Sequence, residues 1–154
     1  MLSPIKLASL AFVATAAILT WTPAFAQPAP AVSELSAEDV QSDGVWKIFF
    51  RPRSGKEKIA RLAELDFATN KLVVRVNGKV HRLVQDSETW TPKRTTGRVV
   101  GDTCVEKWSD GNVRVELNYK IVGSGEDNQQ FKGVMKVASG SDSQIFPVEG
   151  ETGS

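Results

Sequence analysis

The stretch that decides the fold reads Leu72-Val73-Val74-Arg75-Val76-Asn77-Gly78-Lys79-Val80-His81-Arg82-Leu83-Val84. Two runs rich in β-branched residues flank the pair Asn77-Gly78, which supplies the two positive-φ positions of a type I′ turn. The pattern predicts two antiparallel strands in which Val74 lies opposite His81. His81 then shares one face of the hairpin with apolar side chains.

Short strands joined by turns continue on both sides of this hairpin. Segments that are β-branched, aromatic or alternating in polarity occupy residues 45–50, 104–108, 113–122, 131–138 and 145–148. Residues 113–122 alternate without error, residues 109–112 predict a second hairpin turn, and Pro147 marks the last strand as an edge or terminal strand. The predicted fold class is therefore all-β and mainly antiparallel, a meander of seven or eight strands closed as a small barrel or sandwich.

One segment fits two structures. Ser54 and Glu57 match a capping box, and the apolar residues after them recur at near-helical spacing, so a short helix over residues 55–68 is one interpretation. With a period of two, alternate residues from 59 to 67 instead line one face, interrupted only by Arg61. We prefer the strand, because short, turn-linked strands surround the segment.

The N-terminus has the pattern of a cleavable export signal. Residues 1–6 carry one positive charge, and residues 7–19 are apolar but too short to span a bilayer of ~30 Å. Ala24-Phe25-Ala26 fits a signal-peptidase site, and no cysteine follows it, so we expect cleavage after residue 26 and no lipoprotein anchor. No later apolar run has membrane-spanning length. The sequence thus predicts a soluble periplasmic or secreted protein that does not span a membrane.

Removal of residues 1–26 leaves enough chain for one domain. Residues 27–43 are acidic and begin with a Pro/Ala spacer, which predicts a flexible acidic N-terminal arm with a short helical turn at Ser36 to Asp39. Residues 44–150 form the predicted β-barrel domain. Residues 151–154 are expected to be a disordered tail.

The charge of the chain is balanced in total but unevenly placed. The sequence has a net charge of +1, and loss of the signal's single lysine brings the mature chain to zero, which argues against a dedicated nucleic-acid binder. Residues 45–98 hold thirteen basic and five acidic residues, whereas both flanking segments are acidic. Either the segments neutralise one another in the fold, or two basic loops contact an anionic partner such as lipopolysaccharide, an acidic polymer or an acidic protein. The candidate contacts are Arg51, Arg53, Lys56, Lys58, Lys93, Arg94 and Arg98.

The chain has one cysteine and one histidine. Cys104 cannot form an intramolecular disulfide, so we expect a buried, inert thiol in a monomer, with a dimer linked through Cys104 as the alternative. His81 and a distant cysteine cannot build a zinc site. We therefore expect no metal and interpret His81 as a hydrogen-bonded core or cavity-lining residue.

No catalytic motif stands out. After residue 26 the sequence lacks Gly-x-Ser-x-Gly, Ser-x-x-Lys, a Walker A loop and Gly-x-Gly-x-x-Gly. Glu106 and Glu116 can be posed as a carboxylate pair for glycoside hydrolysis, but such pairs are common on protein surfaces. We therefore expect no cofactor and no enzymatic activity, with an unrecognised small hydrolase as the remaining alternative.

Gly44-Val45-Trp46 resembles the Gly-x-Trp motif that opens the first strand of lipocalins and related small barrels. The resemblance implies a barrel whose floor is closed by Trp46 and whose interior holds a small apolar ligand. Bacterial periplasmic inhibitors of secreted metalloproteases are similar, and their N-terminal arm enters the protease cleft. This sequence differs in having no C-terminal helix of the lipocalin kind, and its single cysteine excludes the disulfide of those inhibitors.

These patterns lead to a functional expectation. We expect an exported, non-catalytic β-barrel that binds a small apolar ligand or a partner in the cell envelope. The candidate ligand-lining residues are Trp46, His81, Trp108 and Tyr119. The alternative is a periplasmic protein-interaction module or enzyme inhibitor that uses the N-terminal arm or the basic loops.

Overall fold

The computed structural model of the chain describes residues 28–40, 46–52, 60–94 and 96–153. These residues form nine strands and one 3₁₀ turn at Ala37–Asp39. The strands are β1 (Val32–Ser33), β2 (Trp46–Phe50), β3 (Arg61–Asp66), β4 (Lys71–Val76), β5 (Lys79–Thr91), β6 (Thr103–Ser109), β7 (Val113–Ser124), β8 (Gln129–Ser139) and β9 (Asp142–Gly153).

Strands β2 to β9 form a closed eight-stranded barrel. Each pairs antiparallel with the next in sequence, and β9 pairs with β2 from Trp46 opposite Gly153 to Phe50 opposite Glu149. The ninth strand, β1, adds to β4 outside this ring. The predicted all-β antiparallel meander is confirmed, and the architecture is a barrel. Within the described part of the chain, no helix has the length and apolarity needed to cross a membrane.

The Asn77-Gly78 hairpin is confirmed. Asn77 has φ of 51° and Gly78 has φ of 78°, both in the left-handed region that a type I′ turn requires. Val74 pairs with His81, as the turn geometry predicts. This turn lies at the same end of the barrel as residues 110–112 and 140–141, which we call the turn end. The opposite end, which we call the mouth, carries residues 67–70, 92–94, 96–102 and 125–128.

The core occupies the interior of the barrel and receives side chains from strands β2 to β9. Along β7, alternate side chains from Val113 to Ile121 are buried and their neighbours point outward, as predicted. Opposite them, Met135 and Val137 of β8 and Leu83 of β5 complete the apolar interior. Because the side-chain period of a strand is two, one correct face assignment on β7 fixes the orientation of every residue in it.

Residues 61–66 are a strand rather than a helix, and residues 53–59 lie outside the described residues. A bulge sets Phe49 opposite Ala63 but Phe50 opposite Arg61, so Leu62 is the extra residue. Leu62 joins the core, whereas Arg61 donates to Glu64 at 2.8 Å. The bulge therefore explains why Arg61 interrupts the period-two pattern.

Residues 32–40 of the N-terminal arm are packed against the barrel, which corrects the expectation that this part of the arm is flexible. Val32 and Ser33 pair with β4, and Leu35 and Val40 are buried against Val73 on the outer face. The predicted helical turn is present, with the Ser36 N–H donating to the Asp39 carboxylate at 2.7 Å. The docking was not predicted, because the Asp39 carboxylate of the arm pairs with Arg75, a residue on β4 that lies far along the chain.

The C-terminus also differs from the expectation. Residues 151–153 continue β9 and pair with β2, so they belong to the barrel and are not a disordered tail. The closing ladder requires them, because Trp46 to Ile48 have no other partner on that side. Pairing of β9 with β2 begins only at Glu149. Pro147 has no backbone N–H, and its position outside this pairing means that no hydrogen bond to β2 is lost.

Candidate ligand-binding cavity

A cavity of about 270 Å³ opens at the mouth of the barrel. Its walls combine buried aromatic and aliphatic side chains with polar groups: Lys47, Leu65, Phe67, Asn70, Gln85, Glu88, Trp90, Glu106, Trp108, Tyr119, Gln129, Phe131 and Thr152. Another depression, of about 360 Å³, lies among exposed charged side chains on the outer surface of β6 to β8. We place the candidate site in the inner cavity, because it combines aromatic side chains with polar groups that converge on its interior.

The floor of the cavity is a buried polar network centred on Glu106. The ammonium of Lys47 donates to Glu106 Oε1, forming a buried ion pair, and to Tyr119 Oη at 2.6 Å. Tyr119 Oη donates in turn to Glu106 Oε1 at 2.6 Å, and Trp108 Nε1 donates to Glu106 Oε2 at 3.1 Å. Strands β2, β6 and β7 each contribute to this network.

Alternation along the strands brings these groups together. On β6, Cys104, Glu106 and Trp108 are two residues apart and share the inward face. On β2, Lys47 and Phe49 point inward. Glu106 is 2 % exposed and Lys47 is 8 % exposed, so both charges are removed from bulk water.

Aromatic rings surround the buried ammonium. Lys47 Nζ lies 4.8 Å from the ring centroid of Tyr119 and 5.7 Å from those of Phe49 and Phe131. These distances permit cation–π attraction, which adds to the ion pair. A buried ion pair seldom stabilises a fold more than apolar residues of the same volume would.

Burial holds two neighbouring groups in their neutral forms. Burial, reinforced by the Glu106 carboxylate, raises the pKa of the Tyr119 phenol far above its usual value. Burial also raises the pKa of the Cys104 thiol to about 11. Both groups stay protonated at neutral pH, so Tyr119 remains a hydrogen-bond donor and Cys104 is a poor nucleophile.

Three side chains of the cavity have the chemistry of metal ligands. Glu88, Cys104 and Glu106 place one ligand atom each within 4.8 Å of one another. However, Lys47 already neutralises Glu106, and the thiol carries its proton. A metal ion would have to displace that ammonium and that proton, so we assign no metal to this cluster.

The rim of the cavity is built around Trp90. Its ring meets Tyr119 edge-on at a centroid separation of 5.9 Å, and its Nε1 donates to Glu88. The guanidinium of Arg98 lies 4.5 Å from the Trp90 ring centroid. A groove of about 290 Å³ continues outward from there and is lined by Glu88, Thr89, Trp90, Lys93, Arg94 and Arg98.

Two of the four predicted ligand-lining residues border the cavity. Trp108 and Tyr119 lie at its floor, whereas Trp46 and His81 do not line it. Trp46 is half-buried on the outward face of β2, where its ring covers Gly153 so closely that a Cβ there would lie 2.4 Å from it. His81 lies near the turn end and shares a hydrogen bond of 2.6 Å with Asp110.

The described residues of the two predicted basic loops lie at opposite ends of the barrel. Arg51 is exposed after β2 at the turn end, whereas Lys93, Arg94 and Arg98 lie at the mouth. The remaining candidate contacts, Arg53, Lys56 and Lys58, fall outside the described residues. The described basic residues therefore do not form one common surface.

Lys47, Trp90 and Glu106 were not among the ligand-lining residues predicted from the sequence, which considered Glu106 only in a carboxylate pair with Glu116 and set that pair aside. Glu106 faces inward, whereas Glu116 is on the outer face, 3.7 Å from Lys107, so they cannot act as a carboxylate pair. The period of β6 carried a usable signal. If Trp108 faces the interior, Glu106 must face it too, and a buried acid requires a cationic partner.

No protein-family model, no curated protein and no solved structure matches this chain.

Proposed function

We propose that this protein is an exported, non-catalytic, lipocalin-like barrel that binds a small, largely apolar molecule in the cavity at its mouth. One observation carries the proposal: an open cavity of about 270 Å³ has aromatic walls and a buried Lys47–Glu106–Tyr119 network at its floor. Apolar walls with a few fixed polar groups are typical of small-molecule sites. The rings supply contact area, and the network fixes the orientation of one polar group.

Binding fits the chemistry of the site better than catalysis does. The Cys104 thiol and the Tyr119 phenol are both held neutral, and the Glu106 carboxylate accepts hydrogen bonds from Lys47, Tyr119 and Trp108. A carboxylate that forms a buried ion pair and accepts three hydrogen bonds has most of its lone-pair sites occupied, which makes it a poor candidate for a general base. The site therefore offers contacts rather than an activated nucleophile or base.

Binding of a small molecule also fits better than inhibition of a partner enzyme by the N-terminal arm. Leu35 and Val40 of the arm are buried against the barrel, and Asp39 is held by Arg75 at 2.7 Å. Insertion into a protease cleft would first require these contacts to break. The closed eight-stranded meander supports the lipocalin-like comparison at the level of shape.

The site of action proposed here is the periplasm or the extracellular space. The support is the signal-like sequence of residues 1–26, with its small residues Ala24 and Ala26 before the expected cleavage. The intact mass of exported protein should correspond to a chain that begins at Gln27. A mature form that retains residues 7–19 would contradict this location.

The test combines native mass spectrometry with fluorescence. Protein purified from the periplasm without refolding should carry excess mass that denaturation removes. Fatty acids, quinones and aromatic dyes should change the emission of a Trp46→Phe variant saturably, because Trp90 and Trp108 then report from the cavity wall.

Filling the cavity provides the decisive comparison. Gln85→Phe places a ring in the cavity and should abolish the fluorescence response. Val84→Phe changes the adjacent exposed residue and should leave it intact. Equal responses from both variants, or no response to any ligand, would refute binding in this cavity.

A further inference from the structure

The cavity and the outer groove adjoin each other at the rim. Glu88 and Trp90 line both, so a molecule seated in the cavity extends directly towards Lys93, Arg94 and Arg98. We infer that the ligand is an amphipathic anion: its apolar part enters the barrel, and its carboxylate or similar anionic head is held by Arg98. This inference rests on the proposed function and specifies the chemical class of its ligand.

Arg98 is the feature that selects an anion. Its guanidinium stacks on Trp90, and the one hydrogen bond found for it in the described part of the chain is to the Arg94 carbonyl at 3.4 Å. No carboxylate among the described residues pairs with it, whereas Arg75 and Arg94 pair with Asp39 and Asp102. A half-buried, stacked guanidinium with donors to spare matches a carboxylate in shape and charge.

The loop that carries Arg98 is held in place before any ligand arrives. Asp102, only 1 % exposed, accepts from Arg94 Nε at 3.2 Å and from the Val99 N–H at 3.1 Å. Gln129 Nε2 donates to the Arg98 carbonyl at 3.2 Å and so ties the loop to β8. A guanidinium positioned in advance loses less conformational entropy on binding.

The charges around the groove leave an excess cation. Asp102 neutralises Arg94, and Lys47 neutralises Glu106. Lys93 and Arg98 then face the single carboxylate of Glu88, which is engaged by Trp90 Nε1. The cavity that would receive the apolar part has a volume of about 270 Å³. A single medium-length chain or one or two rings would fit.

A matched set of ligands tests the inference. We would measure the binding of decanoate, decanol and methyl decanoate by calorimetry at pH 7.5, below their micellar concentrations. Decanoate should bind about tenfold more tightly than the two neutral analogues, since a charge-assisted pair contributes about that factor. Added salt should weaken the binding of decanoate but not that of the neutral analogues, because salt screens the exposed charge pair between the carboxylate and Arg98.

Three variants identify Arg98 as the source of this preference. Arg98→Gln should remove the advantage of decanoate, and Arg98→Lys should retain part of it, because the charge remains but the planar stack is lost. Arg114→Gln removes one positive charge from the outer surface of β7 and should leave the preference for decanoate unchanged. Denaturation midpoints would establish that all three variants fold.

The outcomes separate the inference from the proposed function. If the neutral analogues bind as tightly as decanoate, or if Arg98→Gln keeps the preference, the anion inference is wrong while cavity binding stands. If no analogue binds and Gln85→Phe changes nothing, the proposed function itself fails. The inference would also be overturned if the wild type and Gln85→Phe bound anionic lipid vesicles equally well, because the head group would then be bound without use of the cavity.

Discussion

The Lys47 ammonium donates a hydrogen bond of 2.6 Å to Tyr119 Oη inside the barrel, and both side chains donate to Oε1 of Glu106. The three residues come from three strands, and β2 is not a neighbour of β6 or β7 in the barrel. The network therefore spans the interior and links opposite walls. Because the groups are buried, each depends on the others for its hydrogen bonds.

Removal of the buried cation should strongly destabilise the barrel. Lys47→Met leaves the Glu106 charge buried without a counter-ion, and the free energy of unfolding should fall by about 3–5 kcal/mol. Urea denaturation followed by circular dichroism measures this loss. The double variant Lys47→Met/Glu106→Gln should recover part of it, because the unpaired charge is then absent.

The matched control for this variant is on the outer surface. Lys107 and Glu116 also form a pair between strands, at 3.7 Å, but both are exposed. Lys107→Met should change the free energy of unfolding by about 1 kcal/mol or less. If Lys47→Met and Lys107→Met lowered the free energy of unfolding by the same amount, burial of the Lys47–Glu106 pair would have no effect on its contribution to stability.

The docking of the N-terminal arm should depend on pH through Asp39. The Arg75 guanidinium, helped by the Ser36 N–H, lowers the pKa of Asp39 from 3.8 to about 2. A lowered pKa means that the folded state favours the carboxylate, so its stabilising contribution is complete above about pH 4 and is lost as the pH falls towards 2. Asp39→Asn should remove this part of the pH dependence.

Denaturation midpoints between pH 7 and pH 2.5 test this prediction. The wild type should lose more stability over that range than Asp39→Asn, and protease cleavage near residues 31–40 should increase in the variant at neutral pH. Asp127→Asn, in the loop between β7 and β8, is the control and should follow the wild type. Parallel curves for the wild type and Asp39→Asn would disprove the role of Asp39.

A substitution in the first hairpin should test its turn type. Gly78→Val places a β-branched residue at φ of 78° and should destabilise the protein by about 1 kcal/mol or more. Gly97→Val is the comparison, because Gly97 lacks a positive φ and a Cβ there meets nothing within 4 Å. Equal denaturation midpoints for the two variants would exclude the turn as a determinant of stability.

The Cys104 thiol should be unreactive in the folded protein. With full burial and a pKa of about 11, it should react with a disulfide reagent at pH 8 only after unfolding. Absorbance of the released thiolate with and without denaturant measures the difference. Rapid labelling of the native protein, or a covalent dimer on a non-reducing gel, would show that the thiol is accessible.

Elements with local determinants could be predicted from the sequence. The Asn77-Gly78 turn needs only its own two residues, and the alternation of β7 is uninterrupted from Val113 to Ile121. Residues on β2 were harder to assign, because aromatic side chains occur on both of its faces. Phe49 points inward and Trp46 outward, and this is decided by partners on β3 and β9 far along the chain.

The site was harder to predict than the fold. Buried charges contradict the rule that assigns lysine and glutamate to the surface, and only their mutual pairing makes Lys47 and Glu106 acceptable inside. That pairing joins residues 59 positions apart. The docked arm follows the same logic, because the partner of Asp39 is Arg75 on a later strand. Pairings of this kind depend on the completed topology.

The pairing of β2 with β9 determines when the protein can finish folding. The hairpins form between neighbours in sequence, but the first barrel strand receives its second partner only when residues 149–153 are available. Closure is thus the most non-local step and should be slow. By the same reasoning, loss of residues 149–153 would expose two unpaired strand edges and favour aggregation.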